Sequence, residues 1–122
     1  MKDFRQLKVW EKAHRLVLAV YSATASFPAD ERLSLTSQIR RASVSIPSNI
    51  AEGCGRFGDG EFHRFLQIAM GSVSELDYQL LLARDLGFLN GRKYSEVHEK
   101  MFEVKRMLAP LLRKVEADRA HA

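Results

Sequence analysis

Apolar side chains recur at steps of three and four along nearly all of this 122-residue chain. That spacing is the period of an α-helix with one buried face. It divides into four stretches. The first covers about residues 3–26 and carries two adjoining rows: Leu7, Trp10, His14, Val17, Tyr21 and Thr24 beside Val9, Ala13, Leu16, Val20 and Ala23. Two rows make a wider face than a solitary surface helix needs, and they place His14 in the core. Phe27-Pro28 ends the stretch, because the residue before a proline is pushed out of helical geometry.

The second stretch, about 34–57, has the row Leu35, Ile39, Ala42, Ile46, Ile50 and Gly53. Pro47 lies inside it and leaves the carbonyl of Ser43 without its usual donor. The row keeps its phase across the proline, which predicts a bend and not a break, with Ser43, Ser45 or Ser48 hydroxyls taking up freed groups. The third, about 59–86, runs through Phe62, Leu66, Ala69, Val73, Leu76, Leu80 and Ala83, with Asp59 as the expected N-cap. Gly87 suits a left-handed residue just past its end, and Asn90-Gly91 marks a turn. The fourth, about 91–117, carries Tyr94, Val97, Met101, Val104, Leu108, Leu111 and Val115. Pro110 interrupts one backbone bond there, and the chain is expected to fray after Glu116. Four long helices on short connections predict an all-α fold: one domain over residues 1–122, an antiparallel up-down-up-down four-helix bundle.

Composition narrows the function. Apolar residues make up 46%, enough to fill a core. A net charge of +4 permits an acidic partner without requiring one. A single cysteine, Cys54, allows neither an internal disulfide nor a zinc cluster. The run from Leu16 to Tyr21 followed by Ala23-Thr24-Ala25 imitates a secretory leader, but it is short, its lead-in carries Asp3 and Glu11, and it sits within a longer helical period. No segment reaches the length of a membrane span. The expectation is a cytoplasmic protein with no membrane partner.

No catalytic grouping emerges. His98-Glu99 begins like a metalloprotease motif, but position 102 is phenylalanine. His14, His63, His98 and His121 are scattered. Cys54 lacks an adjacent base to activate it. Gly53, Gly55, Gly58 and Gly60 lack the Gly-Lys-Ser/Thr end of a phosphate loop. The reading is of a non-enzyme with no cofactor and no metal.

Three surface features stand out instead. On the second helix Gln38, Arg41, Ser45, Asn49, Glu52 and Arg56 share an arc of ~80° at 100° per residue. Glu61, Ser72, Glu75 and Gln79 line a flank of the third. Together they predict a polar seam in which Arg41 and Arg56 face Glu52, Glu61 or Glu75, Arg41 most directly Glu52 or Glu75. It serves either to set packing specificity or as a ligand or nucleic-acid pocket. On the third helix Tyr78, Leu82 and Gly71 point away from the core, with Ile68 and Leu81 on the shoulders, which suggests a subunit contact. Charge is the third feature. Residues 1–28 hold five basic and two acidic groups, residues 91–122 eight and five, and residues 59–90 two and five. Arg5, Lys8, Lys12 and Arg15 on the first helix, extended by Arg106, Arg113 and Lys114 on the fourth, form a strip able to meet phosphates. Arg40 and Arg56 offer an alternative cationic site.

The segment Gln38-Ile-Arg-Arg-Ala-Ser-Val-Ser-Ile-Pro-Ser-Asn-Ile-Ala-Glu-Gly53 resembles the signature of four-helix-bundle proteins encoded in intervening sequences of bacterial 23S ribosomal RNA genes. Phe4-Arg-Gln-Leu-Lys-Val-Trp10, Phe27-Pro28, Glu61-Phe62-His-Arg-Phe65-Leu66 and Gly71-Ser72-Val-Ser-Glu75 are similar to its other landmarks, so the likeness spans about residues 4–115. The resemblance implies an antiparallel bundle that assembles as a homopentamer and carries no established enzyme activity. The chain is also similar to the accessory variability determinant of diversity-generating retroelements. That likeness implies nucleic acid and a reverse transcriptase as partners. Two functions follow as expectations: a homo-oligomer that binds RNA or DNA, or a structural or protein-interaction scaffold without a nucleic-acid role.

Overall fold

A computed structural model of the protein describes residues 2–121, and among them there are four long helices and no strand. The first helix, α1, spans Lys8–Thr24. It starts later than its apolar row, because Phe4–Gln6 form a separate 3₁₀ turn capped by the Asp3 carboxylate, and Leu7 is extended. A second 3₁₀ turn, Ala29–Glu31, leads into α2, Leu35–Cys54. Helix α3 spans Asp59–Asp85 and α4 spans Gly91–Ala120.

Helix ends follow local chemistry. Asp59 is the first residue of α3 and not its cap; Gly58, at φ 87°, holds the cap position. At the other end Gly87 adopts φ 82°. Its N–H reaches the Arg84 carbonyl, and the Phe88 N–H reaches that of Ala83. These two bonds make a Schellman motif, and Leu89 beyond it is buried. Asn90 caps α4 by accepting from the Lys93 amide at 2.8 Å. That helix does not fray at Glu116 but continues to Ala120, with Val115 buried.

Helix α1 packs on α2 and α4, and α3 packs on the same two; the backbones of the diagonal pairs stay apart. The core is a single cluster in which Leu16, Ile39, Ile46, Ile50, Leu66, Leu76, Met101 and Leu108 are fully buried. Pairs between α3 and α4 run in opposite chain directions: His63 lies 3.2 Å from Glu116, and His98 lies 3.6 Å from Asp77.

Two expectations change on α1 and α2. Of the two rows on α1, the one from Val9 to Ala23 is buried. The other is a margin, where His14 is exposed and stacks on Trp10 with 5.3 Å between ring centres. Helix α2 continues through Pro47, and among the described residues none of the three nearby hydroxyls donates to the Ser43 carbonyl. Ser43 Oγ donates to Arg40 O at 2.8 Å, and Ser45 Oγ is engaged across the bundle.

Candidate functional site

The α2–α3 junction realises only the middle of the expected seam. Ser45 Oγ and Ser72 Oγ stand 2.8 Å apart across the helices, and Asn49 Nδ2 donates to Ser45 Oγ at 2.9 Å and to Ser45 O at 2.7 Å. These groups are half-buried, and such neutral bonds each contribute about 1 kcal/mol. The ionic part lies elsewhere. Arg41 meets neither Glu52 nor Glu75, whereas Arg56 does meet Glu52, at 3.0 Å, but within α2 and on its surface. Glu61 likewise accepts from Arg64 at 3.0 Å, and that hydrogen bond holds its carboxyl below the usual carboxylate range. Gln38 is exposed at one end of the row. Gln79 is buried, and its Oε1 has no hydrogen-bond partner.

The cations of the expected strip on α1 and α4 are largely in ion pairs, one of which crosses between the two helices. Lys12 Nζ meets Glu103 Oε1 at 2.9 Å across the two helices, and this bond holds the Glu103 carboxyl low. Arg5 meets Asp3, Arg15 meets Glu11, Arg106 meets Glu99 and Lys114 meets Asp118, at 3.3–3.9 Å. Lys8 and Arg113 have no such partner among the described residues. Exposed pairs like these contribute little and exchange readily.

The expected contact face on α3 is partly exposed. Tyr78, Ile68 and Leu81 are open to solvent at 63, 41 and 36%. Leu82 instead is half-buried against the core.

The α1–α2 junction holds a feature that the sequence reading passed over. An apolar groove of about 280 Å³ runs between Trp10, His14 and Val17 on one side and Val44, Pro47 and Ala51 on the other. Beyond it, towards the start of α2, lies a cleft of about 480 Å³ lined by Tyr21, Arg32, Thr36, Ser37, Arg40 and Arg41, among others. Three arginines and no carboxylate line it. The signal was present as three arginines within ten positions around a helix start, but helical phase alone does not reveal that Arg32, outside α2, folds back towards Arg40.

Cys54 is buried, and burial pushes its thiol up, away from the reactive thiolate. Among the described residues no group of three His, Cys, Asp or Glu side chains is placed to hold a metal ion, and no helix is long and apolar enough to cross a membrane.

Four helices around one apolar core, with polar groups spent on surface pairs, an inter-helix seam and a cleft, define a helical-bundle protein. The chain belongs to the family of 23S rRNA-intervening sequence proteins, whose model matches residues 5–110. It is similar in structure to a protein of unknown function from the S23 ribosomal protein family of Bacteroides thetaiotaomicron. The TM-score is 0.77 at 20% identity, over 85% of this chain and 97% of the other, a likeness of fold. No curated protein sequence matches it.

Proposed function

We propose that this protein is a non-enzymatic homo-oligomer, a pentamer in its closed form, that binds RNA or DNA through a cationic outer surface. The observation that supports the reading is the placement of charge. Helices α1 and α4, each in a segment with three more basic than acidic groups, are neighbours, while α3, in a segment with three more acidic than basic, lies diagonal to α1. One edge of the bundle is therefore cationic and the opposite one anionic. The pairs of Lys12, Arg15 and Arg106 do not oppose this, since an exposed carboxylate is easily exchanged for a phosphate. One subunit offers few cations, and a ring of copies repeats them and gains by multivalency. Tyr78 and Ile68 on α3 supply apolar surface for the contact between copies.

The test has two arms. Sedimentation equilibrium is expected to give a mass well above 13.9 kDa, falling to the monomer in Tyr78→Glu; a wild-type monomer at micromolar concentration refutes assembly. Titration of mixed-sequence RNA and DNA at two salt concentrations is expected to show sequence-independent binding. Its log-log salt slope should be about −0.9 per duplex phosphate neutralised, or about −0.7 on single strands. The Lys8→Glu, Lys12→Glu variant should bind more weakly. No binding at low salt leaves the scaffold reading.

A further inference from the structure

We propose that the cleft between the end of α1 and the first turn of α2 is a phosphate-binding site, built to hold the dianionic group of inorganic phosphate or of a phosphomonoester. This site is separate from the α1–α4 strip and does not rest on the nucleic-acid reading.

The argument begins with the backbone. The first amides of any helix have no intrahelical carbonyl to meet, and they carry the positive end of the helix dipole. In α2 these are Leu35, Thr36 and Ser37. The preceding residue, Ser34, makes no side-chain cap to them. Helix starts of this kind receive anions when cations converge on them.

Side chains supply that convergence. Arg32, Arg40 and Arg41 all line the cleft, no carboxylate does, and none of the three forms an ion pair among the described residues. Arg40 is held in place: its Nε donates to Thr24 Oγ1 at 2.9 Å, a terminal nitrogen donates to Tyr21 O at 3.4 Å, and the guanidinium lies 4.5 Å from the centre of the Tyr21 ring. Thr24 Oγ1 is anchored in turn by donating to Val20 O at 2.8 Å. Arg40 is thus a preset donor with N–H groups to spare, whereas Arg32 and Arg41 are exposed and free to close on a ligand.

An independent observation comes from Thr36. It is 6% exposed, and its Oγ1 has no hydrogen-bond partner. A buried hydroxyl left without a partner is destabilising. Thr36 lines both this cleft and a second hollow of about 230 Å³ beneath Phe27 and Pro28, and Arg32 and Arg40 line the two as well. A phosphate placed in the cleft would give the arginines bidentate partners. The cleft, at about 480 Å³, has room for more than the anion alone.

The test is calorimetric titration of the full chain in phosphate-free buffer. The probes are inorganic phosphate, a nucleoside 5′-monophosphate and the parent nucleoside. Saturable binding of phosphate or of the monophosphate, with none of the nucleoside, is expected. Tighter binding of the monophosphate identifies a phosphomonoester as the ligand, and equal binding identifies the free ion. Arg32→Gln and Arg41→Gln remove exposed side chains without internal bonds, so the melting temperature should hold. Each should weaken affinity about ten-fold. Lys8→Gln with Lys12→Gln should leave phosphate affinity unchanged even where it abolishes nucleic-acid binding. Absence of saturable binding to both phosphates, or wild-type affinity in the Arg32→Gln, Arg41→Gln double variant, overturns the proposal.

Discussion

The two flanks of α2 are packed in opposite ways. Towards α3, a Cβ placed on Gly53 would stand 3.0 Å from Phe65 Cβ and 3.1 Å from Phe62 Cδ1, so the helices close to the limit that glycine allows. Ser45 and Ser72 then touch directly. Towards α1, one turn away on the same helix, Ala51, Pro47 and Val44 border an open groove, and Arg40 and Arg41 border a cleft. The two flanks differ in composition, Ser45 and Asn49 lying towards α3 and Val44, Pro47 and Ala51 towards α1, and the α3 side closes tightly while the α1 side leaves a groove beside the buried Pro47. The neighbours differ as well. Helix α3 presents Phe62 and Phe65 to a glycine, while α1 lines its side of the groove with Trp10, His14 and Val17.

The sharpest way to break this contrast is to enlarge one small residue to valine on each flank. Gly53→Val should cost about 1–3 kcal/mol in urea denaturation, because the Phe62 and Phe65 side chains have to shift. Ala51→Val, beside the groove, should cost no more than the ordinary loss of helix propensity, about 0.5 kcal/mol. Equal costs at the two positions would erase the distinction. A smaller effect should come from the hydroxyl contact. Ser45→Ala and Ser72→Ala should each cost about 0.5–1.5 kcal/mol. Their double-mutant cycle should show a positive coupling, since each mutant strands the other's partner. Purely additive costs would mean that the two hydroxyls do not depend on one another.

The smallest effect belongs to the surface between α1 and α4. Glu103 is held below the ordinary carboxylate range by its bond from Lys12. A carboxyl depressed in the folded state adds stability above its unfolded pKa, about 4.3, and that stability is lost as pH falls through the lower folded value. In Lys12→Met the Glu103 titration followed by NMR should move up towards the ordinary value, with almost no change in melting temperature at neutral pH. An unmoved titration would show that Lys12 is not its partner in solution.

Much of the fold was legible because it depends on period and on breakers. Leu16, Ile46, Leu66 and Leu108 were placed in the core by spacing alone, and Gly87 was placed at positive φ by the need for a residue without a Cβ. Helix starts were less legible. Leu7 keeps the apolar phase although its backbone is extended, and Asp59 resembles a cap although Gly58 takes that place. The surface was harder still. Helical phase gives the direction in which Arg41 points, but an ion pair also depends on reach and on competition, and Arg56 sits one turn from Glu52 with the better geometry. His14 was misplaced because a ring stacked on Trp10 keeps the helical period as faithfully as a buried one does.

The far end of α4 has a consequence for where this molecule stops being one unit. The family match ends at residue 110, but the helix does not. Past that point Val115 seals the core, Glu116 reaches His63, and the Arg119 guanidinium lies over Gly60 at the opening of α3. The stretch by which the family is recognised is thus shorter than the body that folds. A chain trimmed to its recognisable part would leave the entrance of α3, where Phe62 sits, without its cover.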